Sequence, residues 1–163
     1  MSTMDNLKEA FAGESQANRQ YLAFAKKADD EGYAQVARLF RAAADAETVH
    51  AHAHLKVMKG IGSTGDNLKE AVEGETHEFQ TMYPRMMEKA KEEGDNAAYQ
   101  SFAYANAVEE IHAGLYEKAL ENLGNNEETE YYVCQYCGNT VEGEPPDKCP
   151  ICGAPRKMFK RID

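Results

Sequence analysis

The chain has 163 residues, of which 42% are hydrophobic and 28% are charged, and its formal net charge is −10. This length and composition fit a soluble globular protein with one ordinary domain, or one domain and a very small companion. The acidic balance argues against nucleic acid or an anionic membrane as a partner, because both require a basic surface. No apolar run approaches the roughly 20 residues that span a bilayer, and the start does not resemble a signal peptide. A cytoplasmic location is therefore predicted.

Helical periodicity runs through residues 5–123 and is interrupted three times by clusters of Gly and polar residues. The pattern predicts four long helices, at roughly 5–29, 33–59, 66–93 and 95–123. Pro84 lies inside the third of these helices. Because proline lacks an N–H group, we expect it to bend that helix or to create a local bulge.

The helical region contains an internal repeat. Residues 6–15 match residues 67–76 at seven of ten positions, with an offset of 61. The motif Glu-x-x-His at 47–50 recurs at 109–112, with an offset of 62. The region is therefore interpreted as two copies of one antiparallel helix pair. Each copy has a Glu in its first helix and a Glu-x-x-His in its second.

These Glu and His residues lie on the apolar stripes of the predicted helices, near the middle of each. The set comprises Glu14, Glu47, His50, Glu75, Glu78, Glu109 and His112. Carboxylates inside a bundle are costly unless they are protonated, paired with Lys or Arg, or bound to metal. No Lys or Arg lies on the stripes at that level. One Glu from each of two helices and a Glu-x-x-His from each of the other two form the ligand set of di-iron and di-manganese bundles, so two divalent ions are predicted.

Three further residues of this region have two possible interpretations each. Glu78 follows Glu75 by three residues and should face the same cavity, whereas its counterpart in the first copy is Ala17. A solvated Glu is the alternative. Tyr21 and Tyr83 lie one or two turns beyond the glutamates, where they can donate hydrogen bonds to ligand carboxylates. Packing in the core is the alternative for both.

The helical periodicity of the sequence ends at a polar linker, residues 125–130, and the cysteines of the chain follow it. Cys134, Cys137, Cys149 and Cys152 form two Cys-x-x-Cys-Gly motifs. In a reducing compartment such pairs are metal ligands more often than disulfides, and four thiolates suit iron or zinc. A structural zinc ribbon is one interpretation. The neighbouring di-metal site favours iron that carries one electron at a time. The predicted domains are 1–124 and 131–163.

Together these motifs closely resemble those of rubrerythrins over essentially the full length. They are Gly13-Glu14-Ser15-Gln16-Ala17-Asn18, Glu47-x-x-His50, Gly74-Glu75-x-x-Glu78, Met82-Tyr83-Pro84, Glu109-x-x-His112 and the two cysteine motifs. The resemblance implies an all-α, ferritin-like four-helix bundle followed by a small rubredoxin-like, metal-bound β-ribbon module.

The resemblance also implies an activity, which is the reduction of hydrogen peroxide to water in oxidative-stress defence. It implies two iron ions in the bundle and one in the four-cysteine site, where zinc is possible, and electrons that enter through that site. The implied electron donor is a rubredoxin or an NAD(P)H-dependent reductase. One iron would exchange Glu78 for His50 on reduction, and Glu78, His50, Tyr21 and Tyr83 are the implied catalytic residues. The alternatives are a ferroxidase or iron-storage protein, and a zinc-stabilised electron-transfer or binding module.

The connection between the second and third predicted helices bears on the assembly. In ferritin-like folds these helices are parallel, and a crossover as long as the bundle joins them. Residues 60–66 reach at most ~25 Å, whereas a helix of about 27 residues is ~40 Å long. The bundle is therefore either a simple up-down-up-down bundle or a domain-swapped homodimer. The family fold favours the swapped dimer, with Glu14, Glu47 and His50 from one chain and Glu75, Glu78, Glu109 and His112 from the other.

Overall fold

The computed structural model describes residues 2–163 and contains five α-helices, two of which together form the third of the four predicted helices, followed by a small three-stranded β module. The helices are α1 (Thr3–Asp30), α2 (Ala34–Val57), α3 (Thr64–His77), α4 (Tyr83–Glu93) and α5 (Asn96–Glu121), with a π-helical turn at Glu78–Met82 between α3 and α4. The strands are β1 (Tyr131–Cys134), β2 (Thr140–Glu142) and β3 (Phe159–Ile162). The predicted fold class is confirmed. Over residues 2–163, no helix is both long enough and apolar enough to cross a bilayer.

The chain divides into two compact units, one up to Gly62 and the other Ser63–Asp163. This division differs from the predicted domains, whose bounds stay a prediction. In the first unit α1 packs along α2, and buried alanines let the two helices approach closely. The buried Asn18 joins the pair, because its Nδ2 donates to the carbonyl of Ala44 (2.7 Å) and to Oγ1 of Thr48 (2.8 Å).

The α1–α2 pair leaves large apolar side chains exposed. Phe24 and Val36 are 46% and 45% exposed, although each belongs to the apolar stripe of its helix. Phe24 packs edge-on against Phe40, with 5.6 Å between the ring centroids. A helix pair that buries small residues and exposes large ones needs a further apolar surface to cover it.

In the second unit α3 and α4 pack against α5, and the π-helical turn Glu78–Met82 separates them. Pro84 is the second residue of α4, two residues after the end of the turn. Proline removes an N–H group and clashes with the carbonyl four residues earlier, so a regular α-helix cannot continue through it without cost. The predicted bulge at Pro84 is confirmed. Gly94 caps the end of α4, and its positive φ of 71° turns the chain out of the helix.

The β module belongs to the same unit as α5. Its strands are antiparallel in the order β2-β1-β3, and its buried core consists of Cys134, Cys149 and Phe159. So small a core supplies little stability, and a bound metal ion commonly provides the rest in modules of this size. The module contacts α5 through Lys118 and Glu142, whose charged atoms are 2.6 Å apart.

Candidate metal centres

The first helix pair brings together three of the predicted ligands. Glu14 of α1 faces Glu47 and His50 of α2, and one oxygen or nitrogen atom from each lies within 4.8 Å of the others. Nδ1 of His50 is 2.8 Å from Glu47 Oε2 and 4.0 Å from Glu14 Oε1. The spacing of three residues puts Glu47 and His50 on one side of α2, as the sequence predicts.

The second unit repeats this arrangement. Glu75 of α3 meets Glu109 and His112 of α5 within the same 4.8 Å limit. Nδ1 of His112 is 3.0 Å from Glu109 Oε2 and 3.6 Å from Glu75 Oε1. Each helix pair thus carries a half-site of two carboxylates and one imidazole.

The electrostatics of the second half-site show that its carboxylates are crowded. Burial and the charge of Glu109 raise the pKa of Glu75 to about 7. Burial and the charge of Glu78 likewise raise the pKa of Glu109. The two carboxyl groups also share a hydrogen bond. Carboxylates held this close retain a proton unless a cation replaces it, and oxygen and imidazole donors suit iron or manganese. The residues present therefore fit a divalent metal ion.

Glu78 lies outside this group of three, at the first position of the π-helical turn. Its charge nevertheless acts on this group, since it raises the pKa of both Glu75 and Glu109. Burial, followed by the charges of these three glutamates, raises the pKa of the Tyr83 hydroxyl. The carboxylates therefore act on Tyr83 electrostatically, and its predicted hydrogen bond to one of them stays a prediction.

Tyr21 lies in an aromatic cluster. Its ring centroid is 6.3 Å from that of Phe24 and 6.2 Å from that of Phe40. These contacts agree with the alternative of core packing, and the predicted hydrogen bond from Tyr21 to a ligand carboxylate stays a prediction.

The four cysteines converge in the β module. Cys134 and Cys152 have sulfur atoms 3.7 Å apart, and those of Cys137 and Cys149 are 3.6 Å apart. A disulfide bond is about 2.05 Å long, so these pairs are not disulfides. Four sulfurs at about 2.3 Å from a tetrahedral ion are separated by about 3.8 Å. The cysteines therefore fit a single tetrahedral metal ion.

Backbone and side-chain donors surround these sulfurs. Burial raises the pKa of the Cys137 thiol. Burial acts in the same direction on Cys149, but N–H groups of Cys152 and Ile151 outweigh it and lower the pKa of that thiol to about 7. The buried Asn139 adds a side-chain donor, because its Nδ2 lies 3.6 Å from Cys149 Sγ. Hydrogen bonds to thiolates stabilise the charged form and tune the reduction potential of a bound iron.

Two residues at these centres, Asn139 and Thr140, carry no periodic signal in the sequence. Oγ1 of Thr140 lies 2.8 Å from Nε2 of His112, so it joins the β module to the second half-site. Both residues directly follow Gly138 of the first cysteine motif. Their position there, beside a metal site, is the one feature of the sequence that could have indicated them.

Comparison with known proteins identifies the family. The sequence model described as "Rubrerythrin" matches residues 5–120, and the one described as "Rubrerythrin, rubredoxin-like domain" matches residues 132–160. The chain belongs to the rubrerythrin family.

Several relatives match the chain along nearly all of its length. Rubrerythrin-2 of Clostridium acetobutylicum is 35% identical over 97% of this chain and 95% of its own. Nigerythrin of Nitratidesulfovibrio vulgaris is 36% identical over 97% of this chain and 85% of its own. The solved structure of the fully reduced, all-ferrous state of nigerythrin has a TM-score of 0.61 at 35% identity and covers 99% of this chain and 87% of that one.

Family membership assigns the cofactors. The protein carries a di-iron site of Glu and His groups and a four-cysteine rubredoxin-like site, and iron is the typical metal of both. The donors of the two half-sites and the spacing of the four sulfurs agree with that assignment.

Proposed function

We propose that this protein reduces hydrogen peroxide to water at its di-iron site and receives electrons through the iron of the four-cysteine site. The observation that carries the electron route is the hydrogen bond between Thr140 of the four-cysteine module and His112 of the second half-site, and peroxide is the substrate that the resemblance to rubrerythrins implies. An iron-storage protein has no need of an electron-input module in contact with a metal ligand. A zinc-stabilised binding module would leave the crowded carboxylates without a role.

The proposed ligands of the iron pair are Glu14, Glu47, His50, Glu75, Glu78, Glu109 and His112. The bound iron pair supplies the two electrons that cleave the O–O bond of hydrogen peroxide. Two water molecules result when two protons are added. Tyr83 keeps its proton at neutral pH, since a tyrosine ordinarily has a pKa near 10 and burial raises the pKa of this one further. Its hydroxyl can therefore donate a hydrogen bond to a carboxylate or to the bound substrate.

His50 and Glu78 are the proposed exchangeable ligands. Nε2 of His112 contacts Oγ1 of Thr140 at 2.8 Å, and this second contact restricts His112, so His50 is the histidine proposed to change its position. Glu78 starts a π-helical turn, an element that often occurs at functional sites. A neutral imidazole suits the reduced pair, and a carboxylate suits the oxidised pair, because the positive charge to be balanced differs by two. Tyr21 is proposed to donate a hydrogen bond to a ligand carboxylate of the half-site that contains His50.

We further propose that the site forms in a domain-swapped homodimer. Six residues separate Val57 from Thr64, and they reach at most about 25 Å. α2 has 24 residues and is therefore about 36 Å long. So short a connection does not allow the ferritin-like crossover within one chain. The exposed Phe24 and Val36 support the pairing of α1 and α2 with helices of a second copy.

The proposed external electron donor is a separate redox protein, either a rubredoxin or an NAD(P)H-dependent reductase. The proposed location of the protein is the cytoplasm. A chemical reductant can replace the donor protein in a test of the activity, so that test does not depend on which donor is correct.

The activity is tested by rapid anaerobic mixing of the fully reduced, iron-loaded protein with hydrogen peroxide, and separately with dioxygen. Peroxide should oxidise the di-iron site stoichiometrically and much faster than dioxygen does. Tyr83→Phe keeps the ring but removes the hydroxyl, and it should slow this oxidation without loss of iron. Faster oxidation by dioxygen than by peroxide would contradict the proposal and favour a ferroxidase.

A further inference from the structure

The ring of His112 has a different partner at each nitrogen atom. Nδ1 faces the half-site, 3.0 Å from Glu109 Oε2 and 3.6 Å from Glu75 Oε1. Nε2 faces the β module, 2.8 Å from Oγ1 of Thr140. One imidazole therefore spans the boundary between the helical metal site and the four-cysteine module.

The hydrogen bonds of Thr140 indicate which atom of its contact with His112 donates the proton. Its hydroxyl has a single proton, which it donates to the carbonyl of Gly138 at 3.2 Å. With that proton engaged, the hydroxyl oxygen accepts from His112, and this arrangement corresponds to the ring tautomer that carries its proton on Nε2. Nδ1 is left with its lone pair directed toward Glu75 and Glu109, and this is the tautomer that binds metal through Nδ1.

The first half-site holds its histidine differently. Nδ1 of His50 contacts Glu47 and Glu14, as its counterpart contacts Glu109 and Glu75, but the His50 side chain is 55% exposed. The four-cysteine module follows α5 along the chain and contacts α5. Of the two histidines in the repeated sequence motif, His112 is thus the one that the four-cysteine module contacts.

We propose that Thr140 is a positioning residue, which holds His112 in its metal-binding tautomer and couples the di-iron site to the four-cysteine module of the same chain. The coupling rests on the proposed function, because it assumes that electrons pass between the two centres. The positioning of His112 does not depend on that assumption.

The route between the centres is short. It runs from the His112 ring to the hydroxyl of Thr140, across the hydrogen bond to the carbonyl of Gly138, and through one peptide linkage to Cys137. Reduction of one peroxide to two waters takes two electrons and two protons. Each electron comes from the external reductant and passes singly along this route. Two separate contacts hold the module on α5, the ion pair of Lys118 with Glu142 and the edge-on rings of Tyr104 and Tyr136, 5.9 Å apart.

The first test measures the position of His112 and involves no catalysis. Protein with zinc in all its sites is diamagnetic, so long-range proton–nitrogen NMR spectra can assign the tautomer of each histidine. We expect His112 to carry a slowly exchanging proton on Nε2 in the wild type and in Thr140→Ser. In Thr140→Val, which has the shape of Thr but no hydroxyl, that proton should exchange rapidly. Equal exchange in Thr140→Val and the wild type would overturn the positioning role.

The second test measures electron transfer. All-ferrous protein is mixed anaerobically with excess peroxide, and the visible absorption of the ferric four-cysteine iron is followed separately from oxidation of the di-iron site. Loss of a hydrogen bond to a metal-bound His typically costs about 10- to 100-fold in metal affinity or activity. Thr140→Val should therefore form the ferric four-cysteine centre about 10- to 100-fold more slowly, whereas Thr140→Ser should behave as wild type.

Thr129→Val is the matched control, because Thr129 is an exposed threonine of the linker. It should have no effect on either measurement. If peroxide fails to oxidise the di-iron site of the wild type, the proposed function fails and the NMR result still decides the positioning role. If the di-iron site reacts and the ferric four-cysteine centre forms equally fast in Thr140→Val and the wild type, the coupling through Thr140 is wrong.

Discussion

The backbone N–H of Tyr83 donates to the carbonyl of Glu78, five residues earlier, and this bond defines a π-helical turn. The turn accounts for a detail of the internal repeat. Glu75 follows Glu14 by 61 residues, whereas His112 follows His50 by 62. The second copy therefore contains one additional residue after Glu75. A π-helical turn accommodates such a residue without turning the rest of the helix to another side.

Deletion of Gln80 tests this interpretation. It should restore an α-helical turn, but Pro84 would then lie within a regular helix at a cost of about 3 kcal/mol. We expect a loss of stability of that size, and addition of Pro84→Ala should recover it. The measurement is denaturant unfolding of the zinc-loaded protein, with helix content from circular dichroism. If the deletion alone is as stable as the wild type, Gln80 is not the residue that the turn accommodates.

The sequence predicts the elements whose pattern repeats and misses the contacts that single residues make. Both Glu-x-x-His motifs are visible because helical spacing puts them on an apolar stripe. The bulge at Pro84 follows from the chemistry of proline. The π-helical form of that bulge was not predicted, although the offset of the internal repeat changes from 61 to 62 and thereby indicates one additional residue. The role of Thr140 was not predicted, because it depends on how the β module packs on α5, and only its position after the first cysteine motif could have indicated it.

The raised pKa of Glu75 predicts a pH dependence of metal uptake. In the metal-free protein this carboxyl group has a pKa of about 7, so it is mostly protonated at pH 6 and mostly ionised at pH 8. Metal binding competes with that proton. Binding of Fe²⁺ at pH 6 should therefore release about one proton more than at pH 8. Anaerobic calorimetry in two buffers with different ionisation enthalpies measures the difference.

The raised pKa of Glu75 also determines how the stability of the metal-free protein changes with pH. Between the ordinary pKa of 4.5 and about 7, the folded state holds a proton on Glu75 that the unfolded state has lost. The metal-free fold should therefore lose stability as the pH rises through this interval. Glu75→Gln should reduce both this loss and the additional proton release. Unchanged proton release in that variant would assign the proton to another group.

Asn139 is expected to raise the reduction potential of the four-cysteine iron. Its Nδ2 donates to Cys149 Sγ at 3.6 Å, and such a bond favours the more negative, ferrous form of the site. Asn139→Val should lower the potential, by about 59 mV if the bond favours the ferrous form tenfold. A redox titration followed by visible absorption measures the shift. Asn125→Val in the linker is the control, and an unchanged potential in Asn139→Val would contradict the assignment.

The ion pair of Lys118 and Glu142 is expected to make docking of the four-cysteine module depend on pH. The hydrogen bond from Lys118 lowers the pKa of Glu142, and the same bond raises the pKa of Lys118. The contribution of Glu142 is present above its unfolded pKa and is lost as the pH falls through its lowered value. The contribution of Lys118 is present below its unfolded pKa and is lost as the pH rises through its raised value.

Docking should therefore be strongest between the two unfolded pKa values, about 4.5 and 10.5. Exchange protection of the Thr140 backbone amide in the zinc-loaded protein measures it. Lys118→Met should lower the protection at neutral pH and reduce the effect of salt, because an exposed ion pair is screened by added ions. Lys157→Met removes an exposed positive charge elsewhere in the module and should leave the protection unchanged. Equal effects of the two variants would indicate a general charge effect instead.

The swapped dimer is tested by complementation between two inactive variants. Glu47→Ala damages the first half-site, and Glu109→Ala damages the second. In a swapped heterodimer of these variants, one site contains both substitutions and the other contains neither. About half of the wild-type iron content and peroxide reactivity should therefore return when the two chains are coexpressed with different tags and purified together. Each variant alone should remain inactive.

An unswapped dimer predicts no recovery, because each site would then keep one substitution. The same heterodimer tests which four-cysteine module serves the restored site. The intact Glu109 and His112 belong to the Glu47→Ala chain, and Thr140 of that chain contacts His112. Adding Thr140→Val to this chain should slow electron transfer to the restored site, whereas adding it to the Glu109→Ala chain should have no effect. The opposite result would mean that the module acts on the site of its partner.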